Sequence, residues 1–266
     1  MQAAALQMTS NIDVISNLAQ AENLLTQAAA QGATLAVLPE NFALLGQGPE
    51  FKKIRLTIQE TLGQGLIQGF LADISKRLGL WIIAGTMPIK STDSVRPYAA
   101  CLVFNDKGER IAQYNKINLF DVALSESEVY RESDSIMPGT DAIVVQTPIG
   151  RVGLSVCYDL RFPDLYRSLV EKGAEILVVP AAFTKTTGEM HWEVLTRALA
   201  IQQFCYVIAP AQTGVHGMGR KTFGHSVIVS PKGEVLAQLH NEIGVIVAEL
   251  DLKELAVYRK KFLFQV

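Results

Sequence analysis

Three residues of types that suit acyl-transfer chemistry each stand directly after an apolar or β-like run. Glu40 follows the run 34–39, Lys116 follows a predicted hairpin, and Cys157 follows the run 152–156. Sulfur attack on an amide carbonyl needs a base for the thiol proton, a cation or N–H donors beside the oxyanion, and an acid for the leaving amine. The ends of strands in a layered α/β sheet open into a crevice, so we expect the three side chains to converge there.

Cys157 stands where a buried strand turns into a helix. The run 152–156 alternates apolar and small residues, and Pro163 with Asp164 suits the first turn of a helix that ends near residue 172. At such a corner backbone N–H groups point at the atom that the sulfur attacks, and the helix start favours the thiolate. The alternative for this segment alone is that Cys157 is a small buried hydrophobe.

The sequence gives little support for a histidine base, a metal site or a phosphate-binding loop. The histidines that offer an alternative base are His191, His216, His225 and His240. The first precedes a helix start and the third precedes a strand, positions that suit a structural hydrogen bond equally well. No H-x-x-x-H pair or clustered carboxylate spacing indicates a metal site, and no glycine-rich phosphate loop occurs. We therefore expect neither a metal nor an organic cofactor.

The composition predicts one large globular domain over residues 1–266. Of the 266 residues, 49% are hydrophobic and 19% charged, and the formal net charge is −2. This balance predicts no nucleic-acid partner. We also expect no membrane association and a cytoplasmic location, since neither a signal peptide nor a long apolar run is found. Three widely spaced cysteines predict reduced thiols rather than disulfides.

Strand-like and helix-like patterns alternate along the chain. Strands are predicted at 2–8, 34–39, 80–85, 176–180, 206–209 and 245–250, helices at 11–31, 67–78, 163–173, 191–203 and at the C-terminus, and hairpins at 99–104 with 110–113, 142–146 with 152–156, and 226–230 with 234–239. The segment 117–139 is predicted to be a long functional loop. The pattern indicates an α/β fold whose sheet is not purely parallel.

Several short motifs resemble those of the carbon–nitrogen hydrolase, or nitrilase, superfamily. They are LPENF at 38–42, YNKINLFD at 114–121, RES at 131–133, VCYDLRFP at 156–163 and TGEMHWE at 187–193. The resemblance implies a four-layer α-β-β-α sandwich that forms a homodimer. It also implies that Glu40 is the general base, Lys116 the cation over the tetrahedral intermediate, Cys157 the nucleophile, and Glu132 a second carboxylate that orients Lys116 or the substrate.

Within the superfamily, these motifs are most similar to amidases that act on deaminated glutathione and on ω-amides of 2-oxo acids. The segments 211–216 and 224–226 favour the first branch. The resemblance thus implies a thiol-dependent amidohydrolase that releases ammonia from a small carboxylate-bearing amide through a Cys157 thioester. The alternatives are hydrolysis of ω-amides, N-carbamoyl compounds or nitriles, and a catalytically silent binding or assembly protein.

Polar groups must select a small amide, because it offers little apolar area. The residues that we expect to bind substrate are Tyr158, through its backbone N–H at the oxyanion, Arg161, Thr184, Thr187 and Glu128. Arg161 is the leading candidate to hold a carboxylate with its planar guanidinium. Its alternative role is to brace the turn by pairing with Asp159 or Asp164.

The apolar residues at the helix after Cys157 are relevant to whether the protein forms a dimer. They are Phe162, Leu165, Tyr166 and Leu169. They suit packing either inside the monomer or against a symmetric partner, and the resemblance favours the partner.

Overall fold

Two β-sheets form the centre of the fold. The computed structural model describes residues 1–126 and 128–262. The strands of the first sheet are β1 (Gln2–Gln7), β2 (Leu35–Val37), β3 (Trp81–Ile83), β4 (Met87–Ile89), β5 (Tyr98–Phe104), β6 (Arg110–Asn115) and β17 (Gly244–Glu249). Their order is β17-β1-β2-β3-β5-β4, with β6 also paired to β5. The central strands β1, β2 and β3 are parallel, and the remaining pairs are antiparallel.

The second sheet carries the strand that leads to Cys157. Its strands are β9 (Val144–Thr147), β10 (Gly150–Leu154), β11 (Ile176–Val178), β12 (Tyr206–Ala209), β15 (Val227–Val229) and β16 (Val235–Gln238). Their order is β16-β15-β12-β11-β10-β9, with β10, β11 and β12 parallel. Two small hairpins lie outside both sheets and are formed by β7 (Asp121–Ala123) with β8 (Val129–Arg131) and by β13 (Thr213–Val215) with β14 (Lys221–Phe223).

Helices cover the outer faces of the two sheets. They are α1 (Val14–Ala30), α2 (Gly48–Ile58), α3 (Leu66–Leu78), α4 (Pro163–Glu171), α5 (Lys185–Gln203) and α6 (Leu252–Phe262). In β1, Ala3 and Ala5 share a core with the second sheet, whereas Ala4 and Leu6 share a core with α1 and α3. This alternation follows from the two-residue period of a strand buried on both faces. The predicted α-β-β-α sandwich is therefore confirmed.

The helix after Cys157 packs mainly inside the monomer. Leu165, Tyr166 and Leu169 of α4 are buried in the core, and Phe162 before the helix is 37% exposed. Three of the four apolar side chains considered for a partner surface are thus already covered by this chain. Within the described residues, no helix is both long and apolar enough to cross a membrane.

Several segments differ from the sequence expectation, among them strand β4 and the β13–β14 hairpin, which were not predicted. Helix α2 was not predicted, because Phe51 is its one buried residue and its apolar periodicity is correspondingly weak. Helix α5 begins at Lys185 instead of 191, since the Thr184 hydroxyl caps it by accepting a hydrogen bond from the Thr187 N–H at 3.2 Å. The predicted loop 117–139 contains the β7–β8 hairpin and a 3₁₀ turn at Glu132–Asp134, and Ser127 within it lies outside the described residues.

Candidate active site

Glu40, Lys116 and Cys157 meet where strands of the two sheets end. Glu40 follows β2 of the first sheet, Lys116 follows β6, and Cys157 follows β10 of the second sheet. The Lys116 ammonium donates to Glu40 Oε1 at 2.8 Å, and the Cys157 thiol lies near enough to the same carboxylate for each group to shift the pKa of the other. The three residues are 3%, 1% and 6% exposed. The structure thus brings together the predicted base, cation and thiol, although Glu40 and Cys157 are 117 positions apart along the chain.

A second carboxylate completes the surroundings of the ammonium. Glu132 accepts from Lys116 Nζ at 2.8 and 3.1 Å, and its Oε2 also accepts from the Phe120 N–H at 2.7 Å. The other Glu40 oxygen, Oε2, accepts from the Ala182 N–H at 2.8 Å. A buried ammonium between two carboxylates has a fixed position, because each of its bonds is charge-assisted.

The backbone at Cys157 is held in the left-handed region. Its φ is +51°, which is uncommon for a residue with a Cβ and costs roughly 1–3 kcal/mol. The Cys157 N–H donates to the Pro180 carbonyl at 2.9 Å, which fixes the turn against the segment after β11. This corner agrees with the predicted strand-to-helix turn, although a short 3₁₀ helix, Cys157–Arg161, precedes α4.

Asp159 ties this corner to the strand that carries Lys116. Its carboxylate, which is fully buried, accepts from the Tyr114 hydroxyl at 2.6 Å and from the Val156 N–H at 2.8 Å. It also accepts from the Asn118 N–H at 2.9 Å and from the Asn118 side-chain amide at 2.8 Å. These four bonds occupy the carboxylate, and Asp164 pairs with Arg167 at 3.1 Å, so neither carboxylate of the bracing alternative is paired with Arg161 among the described residues.

The charges of the resting site follow from its contacts. Burial raises the pKa of Glu40, but the charge and hydrogen bond of Lys116 outweigh burial and hold that pKa below its ordinary value. Burial and the negative charge of Glu40 raise the pKa of the Cys157 thiol well above its usual range. Burial lowers the pKa of Lys116, yet Glu132 and Glu40 hold it well above that of a free lysine. The resting site is therefore a carboxylate, an ammonium and a neutral thiol.

The site opens into a cavity of about 1190 Å³. Four of the five residues predicted to bind substrate line it, namely Tyr158, Glu128, Thr184 and Thr187. The two threonine hydroxyls are 2.9 Å apart and cap α5, so they bind each other in the resting protein. The Glu128 carboxylate accepts from the hydroxyls of Tyr130 and Thr186, both at 3.2 Å.

Arg161 is not among the residues that line this cavity. Its guanidinium Nη2 lies 3.1 Å from Nδ1 of His191, and it packs over the rings of Phe183 and Tyr158 at 5.6 and 6.0 Å. The structure therefore does not bring Arg161 to the place where we expected it to hold a carboxylate. The reason is the 3₁₀ turn, which directs position 161 away from the thiol and toward α5.

The histidines do not form an alternative catalytic base. None of the four lines the cavity. His216 is buried between the Ser10 carbonyl and the Thr222 hydroxyl, at 2.8 and 2.6 Å, and burial lowers its pKa to about 4. His225 stacks on Phe223 with ring centroids 3.9 Å apart.

The cavity wall contains two half-buried arginines that the sequence did not predict to take part in the site. Arg55 projects from α2, and Arg220 lies in the segment between β13 and β14. The Arg220 guanidinium donates to the Ala182 carbonyl at 3.1 Å, one peptide unit from the N–H that binds Glu40. No local pattern marks either residue, because one stands on the helix that was not predicted and the other in an irregular loop.

Comparison with known proteins gives a consistent result. The family model described as carbon-nitrogen hydrolase matches residues 2–260. A protein of Synechocystis named deaminated glutathione amidase is 41% identical over 262 residues, which cover 97% of this chain and 94% of that protein. The human protein of the same name is 39% identical, with 97% and 79% covered. The crystal structure of the C. elegans NitFhit protein matches with a TM-score of 0.90 and 34% identity, over 98% of this chain and 63% of that one.

Proposed function

Because the chain belongs to the carbon–nitrogen hydrolase family and is a hydrolase of carbon–nitrogen bonds other than peptide bonds, we propose that it cleaves deaminated glutathione through a Cys157 thioester. The observation that carries the mechanism is the buried set of groups around Glu40, which binds the Lys116 ammonium and the Ala182 N–H at once and lies beside the Cys157 thiol. Relatives at 39–41% identity that bear this substrate's name support the choice of amide.

The first half-reaction transfers the acyl group to sulfur. Glu40, ionised in the resting site, takes the thiol proton as Cys157 attacks the carbonyl carbon. Lys116 and the Tyr158 N–H then hold the oxyanion, which develops in a buried site where a fixed cation acts strongly. When the tetrahedral intermediate collapses, Glu40 returns the proton to the leaving amine. The C–N bond breaks and a thioester remains on Cys157.

The second half-reaction releases the acid. Glu40, again a carboxylate after the amine has left, takes a proton from water, and the resulting hydroxide attacks the thioester carbonyl. Collapse of this intermediate expels the sulfur, which recovers the proton from Glu40. Glu132 keeps Lys116 in place through both steps by its bonds at 2.8 and 3.1 Å.

The leaving group depends on the amide. Deaminated glutathione contains no primary amide, so its cleavage releases an organic amine and not the ammonia expected from the motifs. Ammonia leaves only where the substrate is a primary ω-amide. The same cycle serves both, because Glu40 protonates the departing nitrogen in either case.

Steady-state kinetics on purified protein test this assignment. We expect the highest kcat/KM for deaminated glutathione, a lower value for a 2-oxo acid ω-amide, and still lower values for an N-carbamoyl amino acid and a nitrile. Cys157→Ala removes the nucleophile and is expected to abolish turnover, and Glu40→Gln to lower it about 10²- to 10⁴-fold. Cys101→Ala is the matched control, since Cys101 is a buried thiol outside the cavity. Full activity of Cys157→Ala, or a preference for the nitrile, contradicts the proposal.

We also propose that the protein is a homodimer. On α5 the apolar side chains of Met190, Val194 and Ile201 are exposed, and their spacing places them along one face of the helix. An exposed apolar row of this kind suits an interaction surface. Analytical ultracentrifugation at micromolar concentration is expected to show a dimer that Val194→Glu dissociates and Gln202→Glu, a control on the same helix, does not. A monomeric wild-type protein contradicts the proposal.

A further inference from the structure

Two guanidinium groups face the cavity without a carboxylate in contact. Arg55 donates to the Ser135 hydroxyl at 3.3 Å and lies 4.7 Å from the centre of the Phe51 ring. Arg220 donates to the Ala182 carbonyl and lies 5.7 Å from the ring of Tyr130. Within the part of the chain that the structure describes, neither arginine forms a salt bridge. Their direct partners are therefore neutral groups, although both guanidiniums act on the glutamates of the site over a longer distance.

Three other basic side chains near them are neutralised directly. Lys116 binds two glutamates, Lys52 lies 3.5 Å from Asp134, and Lys185 lies 3.7 Å from Glu189. All three line the same cavity. Arg131 and Lys221 also line the cavity without a salt bridge among the described residues, but both are exposed to solvent, whereas Arg55 and Arg220 are half-buried.

Arg220 also keeps unused bonding capacity. Its Nε atom is buried and, among the residues that the structure describes, meets no hydrogen-bond acceptor. A buried N–H without a partner is destabilising, and more so when the group is charged. Burial lowers the pKa of Arg55 to about 10, Glu132 opposes that fall, and the positive charge of Arg220 adds to it. Both guanidiniums line the same cavity and repel each other, so an anion between them stabilises both.

We propose that Arg55 and Arg220 form a subsite that binds a carboxylate on the acyl half of the amide substrate. A pair of planar guanidiniums suits this group, because each offers parallel N–H donors that match the two carboxylate oxygens. This inference rests on the proposed function and specifies its substrate class.

The position of Arg220 sets the length of the acyl chain. Arg220 binds the carbonyl of Ala182, whose own N–H binds Glu40 beside the thiol. Its charge also contributes to lowering the pKa of Glu40, after the larger effects of burial and Lys116. The carboxylate thus lies only a few bonds from the carbonyl that Cys157 attacks. This geometry selects amides of short dicarboxylic acids, a class that includes the 2-oxo diacid half of deaminated glutathione.

A pair of simple amides separates this role from a structural one. Glutaramate carries a carboxylate at the end opposite its amide. Butyramide has the same three-carbon chain on its amide but a hydrogen in place of the carboxylate, so it is uncharged. For Arg220→Gln and Arg55→Gln we expect kcat/KM on glutaramate to fall about 10- to 100-fold more than on butyramide, mainly through KM. Arg220→Lys keeps the charge without the fork and should recover part of the loss. Arg167→Gln is the control, since Arg167 lies on the surface of α4 and pairs with Asp164.

Binding of glutarate tests the subsite without any turnover. In isothermal titration calorimetry on a Cys157→Ala background, glutarate is expected to bind, and Arg55→Gln or Arg220→Gln to weaken its Kd at least tenfold. Equal affinity in all three proteins overturns the inference even if the enzyme cleaves deaminated glutathione. Loss of glutarate binding in Arg161→Gln, with both proposed arginines dispensable, overturns it as well and returns the carboxylate to Arg161. Conversely, arginine-dependent glutarate binding upholds the subsite even where Cys157→Ala shows full activity.

Discussion

Replacing Lys116 with methionine should make the stability of the protein depend strongly on pH. The ammonium is 1% exposed and holds one oxygen of Glu40 and one of Glu132, each at 2.8 Å. These two oxygens consequently lie no more than about twice that distance, roughly 5.6 Å, from each other. In Lys116→Met two carboxylates face each other across an apolar side chain. Their repulsion is about 3 kcal/mol at an effective dielectric constant of about 20.

The sign of the pH dependence follows from Glu40. In the wild-type protein its pKa is held below the ordinary 4.5, so the stability it contributes is present above pH 4.5 and is lost as the pH falls through the folded pKa. Without Lys116, the largest opposing effect is lost, and burial is expected to raise that pKa above 4.5. The variant is then least perturbed near pH 4.5 and loses stability as the pH rises through the raised pKa. Removal of one partner from a buried ion pair costs about 3–5 kcal/mol, which we expect in full at pH 8.

Urea denaturation of both proteins from pH 5 to 8 measures this effect. Glu40→Gln in the Lys116→Met background removes one of the facing charges and should recover part of the loss. Lys185→Met is the matched control, because Lys185 forms an exposed pair with Glu189, and such pairs contribute little. A loss below about 1 kcal/mol that is equal at pH 5 and pH 8 would refute the reasoning about the buried triad.

Three further predictions concern the surroundings of the site. Asp159→Asn places an amide N–H₂ among the donors Tyr114, Asn118 and Val156, so urea denaturation should show a loss of about 2 kcal/mol, and an unchanged midpoint would contradict that network. His216 has a folded pKa of about 4 against 6.5 when unfolded, so the unfolded state binds more protons between these values. Stability should therefore decline by up to about 3 kcal/mol as the pH falls from 6.5 to 4, and denaturation of His216→Gln should show that part of the decline removed. Finally, dialysis against EDTA should leave the hydrolysis rate unchanged, and activity restored only by added metal would count against a mechanism carried by side chains alone.

The sequence was sufficient to predict that Glu40, Lys116 and Cys157 come together, and their catalytic roles stay a prediction. Glu40 and Cys157 follow buried parallel strands, and the ends of such strands open into one crevice whatever the details of the loops. Lys116 follows β6, a hairpin strand of the first sheet. Its position at the crevice therefore depends on how the two sheets are layered against each other. Regular periodicity also gave most strands and helices to within a few residues.

The rim of the cavity could not be predicted in the same way. Helix α2 buries only Phe51, so the sequence shows no apolar periodicity that would predict this helix or the position of Arg55 on it. Arg161 follows Cys157 by four positions, but the direction of its side chain depends on a 3₁₀ turn that sequence spacing does not reveal. Thr184 is different, because a threonine before a polar helix start is an N-cap signal that was available and was read as a loop donor. The cytoplasmic location stays a prediction.

The thioester on Cys157 is the central claim, and intact-protein mass spectrometry after rapid quenching tests it most directly. Wild-type protein mixed with deaminated glutathione and quenched in acid during turnover should gain the mass of one acyl group, with peptide mapping placing it on Cys157. Cys157→Ala should gain none. Turnover at the wild-type rate with no adduct at any quench time, or an adduct on Cys101 or Cys205 instead, would contradict the account.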